Sequence, residues 1–339
     1  MLIIGCDYHP SFQQIAWLNT ETGECGNRRL EHNEEAEAFY RGLRGQAVVV
    51  GMEATGGTGW FRQLLSACGH GLQVADAARV RARATRRQKT DARDAELLLE
   101  LLLDRKFVWL TMPTAEQRDR RQLLLHRHRL VQMRTRVKNQ LQSLAMDQGV
   151  RQQKKLWSSQ GRTQLEALSL PPWTTVRRGD LLQLLDDLDQ RLVGLDREVR
   201  QQAYGSAEVR RLMTHPGVGP VVGLAFQLTI LDPARFAGSR QLSSYLGLIP
   251  SEHSSGGKQR LGHISKQGNA LLRGWLVEAA QVAVRRDPQW GRQFRRLAMR
   301  KNRSIAIVAT ARKLAVRLWW MWKRGLDYGQ MVQSGSHVE

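Results

Sequence analysis

The chain has 339 residues, of which 42% are apolar, enough for about two domains with real cores. It carries 52 Lys and Arg against 31 Asp and Glu, a formal charge of +21, which is more than solvation requires and suits a chain that neutralises many phosphates. No apolar run approaches the roughly 18 residues of a membrane span. The opening MLIIGCDYHP lacks the basic and apolar regions of a secretion signal. Cys6, Cys25 and Cys68 form neither a C-x-x-C pair nor a zinc spacing, and read as reduced thiols of a cytoplasmic protein. Membrane function is excluded on these grounds, and nucleic acid is the expected partner.

The first hundred residues read as α/β. LIIGCDYH and QQIAWLNT are short strands, with a third at ECGNRRLEHN, then a helix from Glu34 to Leu43 and the continuous apolar strand AVVVGME. A helix over GWFRQLLSAC, a strand at LQVADA and a basic helical run from Arg79 to Leu103 follow. Apolar strands alternating with helices indicate a sheet covered on both faces, and an opening hairpin makes that sheet mixed. From Met112 to Met146 one long helix is expected, preceded by Pro113 and opened by Thr114 and Gln117 at capping-box spacing. Its cations, including Arg118, Arg121, Arg127, Arg134 and Lys138, have few balancing acids and are candidate nucleic-acid contacts. Residues 151–180 read as a linker or hinge. Leu181, Leu185, Leu188, Leu192, Leu195 and Val199 then form a heptad seam for a partner helix, from this chain or another copy. The remainder reads as a helical domain ending in the Trp-rich RKLAVRLWWMWKRG, its tryptophans in the core, and a polar tail.

Four carboxylates carry the chemistry. Asp7 ends the first strand, Glu53 ends VVVGME, and Asp91 and Asp94 lie three apart on one helical face. Taken singly, the two helical acids could be surface groups and Asp7 a turn cap. Carboxylates at buried strand ends are costly unless paired or bound to metal, and four converging oxygens would hold one or two Mg²⁺ ions. The order Asp, Glu, Asp-x-x-Asp on this pattern resembles the DEDD set of the RuvC-like variant of the ribonuclease H fold.

Further on, THPGVGPVVGLAFQLTI resembles a helix-hairpin-helix element, whose Gly217 and Gly219 would offer backbone N–H groups to a phosphate. Beyond it, SEHSSGGKQRLGHISKQGN is polar, glycine-rich and cationic. A serine there needs a base or a metal to attack a phosphodiester, and His253 and His263 are the nearby bases. Lys258, Arg260, Lys266 and Arg273 would neutralise phosphate charge. SSGGKQ lacks the spacing of a P-loop, so nucleotide-fuelled chemistry is not expected.

FAGSRQLSSYLGLIPSEHSSGGKQRLGHISKQGNALLRGWLVEAA, taken with the four acids, resembles the insertion sequence 110 family of transposases, the bridge-RNA-guided recombinases. The likeness spans essentially the whole chain. It implies a RuvC-like domain over 1–110, a basic helix, hinge and coiled coil over 111–204, a mainly α serine transposase domain over 205–325 and a tail over 326–339. It also implies that the serine before glycine, Ser255, forms a phosphoserine link to DNA, with adjacent Ser254 as the alternative. Asp7, Glu53, Asp91 and Asp94 match the family's metal set. The implied partners are target and donor DNA, an element-encoded structured guide RNA, and further copies of the chain in a dimer and an active tetramer, where the serine domain of one subunit completes the metal site of another. The implied setting is the bacterial cytoplasm, at the nucleoid. Two rivals remain at this point: a RuvC-like junction nuclease cutting with water, and a non-enzymatic nucleic-acid-binding protein.

Overall fold

The computed structural model describes residues 1–32, 34–83, 90–104, 109–150, 155–252 and 260–334. They form two compact units, Met1–Met112 and Pro113–Glu339.

In the first unit, β1 (Leu2–Tyr8), β2 (Phe12–Asn19) and β3 (Cys25–Glu31) are followed by α1 (Glu34–Gly42), β4 (Val48–Glu53), α2 (Gly59–Ala67), β5 (Gly71–Ala75), α3 (Ala77–Arg83) and α4 (Asp91–Leu103). The sheet order is β3-β2-β1-β4-β5. β2 is antiparallel to both β1 and β3, while β4 is parallel to β1 and to β5. This mixed sheet is consistent with the RuvC-like layout expected from the sequence. The expected third strand and first helix fall within a residue or two of their sequence limits. The basic run from Arg79 is not one described helix, because a new start at Asp91 is capped by Thr90, whose side chain accepts from the Arg93 N–H.

Alternate residues of each strand face opposite sides. Ile4, Cys6, Val50 and Met52 lie in one cluster with Tyr40 of α1 and Phe61 and Leu65 of α2. On the opposite face the sheet carries a trough. Gly5 and Gly51 are paired across β1 and β4, and α4 lies directly on them. A Cβ at Gly5 would fall 2.1 Å from the Ala95 carbonyl oxygen and 2.4 Å from the Leu99 nitrogen. Helix backbone therefore occupies the place of a strand side chain.

The second unit is helical apart from one short hairpin. It contains α5 (Ala115–Asp147), α6 (Ser159–Glu166), α7 (Pro172–Gly205), α8 (Ala207–Met213), α9 (Pro220–Ile230), α10 (Ser239–Tyr245), β6 (Pro250–Glu252), β7 (Leu261–Ile264), α11 (Ala270–Arg286), α12 (Pro288–Arg300), α13 (Arg303–Arg324) and α14 (Tyr328–Gln333). Both halves of the Thr114/Gln117 capping box are made at the start of α5. Much of the expected hinge is helix: α7 already begins at Pro172, where a proline lacking an N–H is tolerated.

The heptad seam finds its partner within this chain. Leu181, Leu185, Leu188 and Leu192 share a core with Leu130, Val137, Leu141 and Leu144 of α5. Arg127 pairs with Asp196, and Arg134 with Asp189 at 3.1 Å; seven residues forward on α5 match seven back on α7, so the two helices run antiparallel. Leu188 is 5% exposed, and Leu188→Ala is expected to lower the unfolding free energy by about 3 kcal/mol, read as an earlier urea midpoint.

Leu124, Val199 and Ala203 at one end of this helix pair belong to the same core as α8 through α13. The regions expected as a separate middle and C-terminal domain therefore share a core. Trp319 is fully buried and donates to the Pro233 carbonyl at 2.8 Å, as the core reading of that helix required. Within the expected tail Asp327 caps α14, and Met331 is buried. Among the described residues no helix is long and apolar enough to cross a membrane.

Candidate active site and metal centre

The trough that seats α4 also sets the site. Asp7 lies two residues beyond Gly5 and Glu53 two beyond Gly51, so both acids share the face that α4 covers. Cys6 pairs with Met52, and Asp7 and Glu53 come next on their adjacent strands. α4 runs back over β1, with Ala95 and Leu99 at Gly5, which brings its first turn, holding Asp91 and Asp94, to the strand ends.

His9 joins them in the turn between β1 and β2. Its Nε2 lies 3.1 Å from Asp7 Oδ2 and 3.7 Å from Asp91 Oδ1. One ligand atom from each of Asp7, His9 and Asp91 falls within 4.8 Å of the others. The ring is held in place by stacking on Phe12 at 4.5 Å and 16°, and the backbone N–H of His9 donates to the Phe12 carbonyl at 2.9 Å. Burial raises the proton affinity of Asp7; His9 opposes this, and the charges of Asp94 and Asp91 add to it. The charges of Asp91 and Asp94 thus act on Asp7 across the end of β1. Glu53 stands half-buried at the end of the neighbouring strand. Sequence reasoning missed His9, although its signal was present: an imidazole two residues beyond a strand-end aspartate.

Several carboxylates crowded together, one of them with a raised proton affinity, make a donor set that a hard divalent cation relieves. Oxygen donors suit Mg²⁺, and one imidazole nitrogen extends the fit to Mn²⁺. The residues present fit such an ion.

Comparison with known proteins supplies the family. Residues 4–148 match the DEDD transposase profile of the IS110 type, and residues 209–295 match the transposase IS116/IS110/IS902 family. The chain is 30% identical to a Pseudomonas aeruginosa protein described as "Probable family 20 transposase", over 96% of this chain and 98% of that one. The chain belongs to the IS110/IS116 family of transposases. It is also 30% identical to the transposase for insertion sequence element IS1111A of Coxiella burnetii, over 96% of this chain and 91% of the relative. The transposase for insertion sequence element IS1328 of Yersinia enterocolitica is 27% identical, over 83% and 86%.

The serine motif of this transposase lies between β6 and β7. Ser254, Ser255, His253, Gly256, Gly257 and Lys258 fall outside the described residues. The flanking hairpin is antiparallel, and Ser251 Oγ donates to the His263 carbonyl at 3.0 Å. Below it, the chain after β7 is pinned to the end of α10. A Cβ on Gly247 (φ +64) would fall 2.3 Å from the Gln267 carbonyl oxygen, and one on Gly268 (φ +68) 2.3 Å from that of Tyr245. Lys266 between them has φ 55, a left-handed value unusual for a side-chain-bearing residue. The side chain of Arg273, in the first turn of α11, donates to the Gln267 carbonyl. The base of the hairpin is thus a crowded, fixed platform, with Lys266 exposed on it.

The five cations singled out on α5 have partners inside the chain. Arg118 donates to the Pro113 carbonyl at 2.7 Å, Arg121 to that of Leu228 at 2.8 Å, Arg127 and Arg134 pair with aspartates of α7, and Lys138 lies 4.9 Å from the Trp157 ring centre. Burial lowers the proton affinity of Arg121. The sequence could not reveal this, because the acids that answer Arg127 and Arg134 lie more than fifty positions away.

The two hairpin glycines also divide. α8 and α9 form the expected helix pair, but Gly217 (φ +90) turns toward α11, where a Cβ would fall 2.3 Å from the Ala279 carbonyl oxygen. Close packing accounts for that glycine without a phosphate. Gly219, which caps α9, has open space where its side chain would be. Buried His215, just before this turn, is pushed down to about 4 by desolvation, so it is neutral at ordinary pH. Its Nδ1 lies 2.8 Å from the Pro216 carbonyl, and its ring packs between Trp290 and Tyr328. That histidine holds the turn in place.

Proposed function

We propose that this transposase cuts and rejoins DNA through a phosphoserine intermediate, with Asp7, Glu53, Asp91 and Asp94 holding one or two Mg²⁺ ions. The observation that carries the reading is the meeting of Asp7, Asp91 and Asp94 where α4 crosses the strand ends. When bound, a divalent cation would stabilise charge on the phosphodiester and make an attacking hydroxyl more acidic.

The chain's own groups do the rest. Asp7 is half-buried and repelled by its neighbours, and His9 holds its carboxylate in place through the contact to Oδ2. Ser255 Oγ forms a bond to phosphorus while the bond to a sugar oxygen breaks, and the serine proton passes through solvent to the departing oxygen. Attack by a sugar hydroxyl from another strand reverses the exchange, so phosphodiester energy is conserved and no nucleotide is consumed. Lys258, Arg260 and Lys266 offset phosphate charge around the serine. Family likeness and the excess of cations support the finer reading. In it, an element-encoded guide RNA pairs with target and donor DNA, the chain works as a dimer and then a tetramer, and the setting is the bacterial cytoplasm. The protein would then read shape and backbone and leave sequence to base pairing.

Metal binding is testable without a DNA substrate. Mg²⁺ at about a hundred times its dissociation constant is expected to add about 2.7 kcal/mol to stability, a rise on the order of 10 °C for a unit of this size. Asp7→Asn should abolish that rise. Without metal the variant should melt at or above the wild type. A carboxyl whose folded pKa is raised contributes stability below its unfolded pKa and loses it as pH rises through the folded value, so at neutral pH the aspartate costs stability that asparagine does not. Differential scanning fluorimetry with Mg²⁺ or Mn²⁺ reads both effects. A wild-type melting point that ignores both ions would overturn the metal site.

A further inference from the structure

The region from Arg285 to Arg303 carries eight cations and a single acid, Asp287. That acid is already engaged: it accepts from the Tyr328 hydroxyl at 2.7 Å and from the Gln289 and Trp290 N–H groups. Among the described residues none of the eight cations has a carboxylate within ion-pair distance. The contrast with α5 is physical. There, Arg118, Arg121, Arg127 and Arg134 meet carbonyls or aspartates of the same chain; here all eight cations are exposed.

Helix geometry concentrates the charge. α12 buries Trp290 and Gly291, and its outward arc carries Arg292, Arg295, Arg296 and Arg300, all exposed. Arg292, Arg296 and Arg300 form one row at four-residue steps, about 6 Å apart along the axis. Beside them, Arg285 and Arg303 line a cleft of about 320 Å³ floored by Phe294. The cleft borders the start of α13, the positive end of a 22-residue helix. Unpaired guanidiniums in a row, with a helix start beside them, are complementary to a line of phosphates.

We propose that the outward face of α12 and the start of α13 form a docking surface for the phosphate backbone of duplex DNA. Duplex is favoured over single-stranded RNA because the face offers no exposed aromatic ring for unpaired bases; Phe294 is half-buried with Arg303 over it, and the exposed apolar groups are Met299 and Ile305. The inference rests on the reading of the chain as acting on DNA, and extends it to a surface without any of the acids or the serine.

The test is the salt dependence of binding by the full chain to a short labelled duplex of arbitrary sequence. Three phosphate contacts at about 0.9 each predict that replacing Arg292, Arg296 and Arg300 together by Ala flattens the slope of log K against log salt by about 2.7. At moderate salt, affinity should fall on the order of 10²-fold. Two further triple variants complete the measurement. Lysine at the three positions should restore the slope. Alanine at the exposed Arg191, Arg197 and Arg200 of α7, which removes the same net charge, should change the slope far less. Circular dichroism checks that each variant is folded. An unchanged slope in the α12 variant overturns the surface, as does an equal change in both alanine variants. A loss confined to structured RNA overturns it in favour of RNA. If the wild type binds no duplex at all, the reading of the chain as a DNA-acting protein fails with it.

Discussion

Ser255→Ala is expected to eliminate the covalent protein–DNA adduct, while Ser254→Ala retains it. The two hydroxyls are adjacent in SEHSSGGKQ, and only one oxygen can be the group that bonds to phosphorus. Alanine at that position leaves nothing to form the link, so loss should be complete rather than graded. The same pair separates the rival readings. A junction nuclease that cuts with water would keep its cleavage in the Ser255 variant, because its chemistry needs only the carboxylates. A binding protein without catalysis would show no adduct in any form and no effect of Asp91→Asn. The measurement is denaturing electrophoresis of labelled DNA incubated with protein, Mg²⁺ and structured RNA. Adduct persisting in Ser255→Ala and vanishing in Ser254→Ala would move the nucleophile by one residue. Adduct in both single variants would remove serine chemistry from this motif.

The second large effect comes from a residue with no side chain. Gly5→Ala places a methyl group 2.1 Å from the Ala95 carbonyl oxygen and 2.4 Å from the Leu99 nitrogen. Both are helix backbone, held by the hydrogen bonds of α4, so no side-chain rotation relieves the clash. The helix must lift from the sheet, and overpacking of this kind costs about 3 kcal/mol, lowering the melting temperature by about 12 °C or more. Gly51→Ala is the internal comparison. Its methyl meets the Leu102 side chain at 2.8 Å, which can rotate, so the loss should be nearer ~1 kcal/mol. Lifting α4 also carries Asp91 and Asp94 away from Asp7. Gly5→Ala should therefore weaken Mg²⁺ binding in whatever fraction remains folded, by roughly ten-fold or more in calorimetric titration, as expected when support for a ligand set is lost. Full metal affinity in that variant would mean that the acids do not depend on the seat of the helix.

Much of the site is legible in the amino-acid sequence. Asp7 and Glu53 each end an apolar run, and Asp91 and Asp94 are three apart in a segment of good helix formers, so periodicity alone places all four at element ends. The strands and the capping box of α5 are legible for the same reason, since each depends on residues within a few positions of one another. His9 is harder to see. A lone histidine in a turn has many ordinary roles, and only the return of α4 puts Asp91 beside it.

The cations show the opposite limit. Composition sets the excess of positive charge and with it the class of partner, because charge adds up whatever the fold. It cannot say which guanidiniums remain available. Arg127 and Arg134 of α5 look unbalanced along the chain until the antiparallel fit of α7 returns Asp196 and Asp189 to them. The α12 row has no mark in the sequence that sets it apart from α5, yet among the described residues no carboxylate lies within ion-pair distance of it. Likewise the heptad seam determines that some helix must cover it, and tertiary packing decides that the helix is α5 of the same chain. The sequence alone determined local features and sums: element ends, caps, apolar stripes and net charge. Tertiary structure decided pairings between residues far apart in the chain, because an ion pair, a helix seat or a divided carboxylate site exists only when distant segments meet.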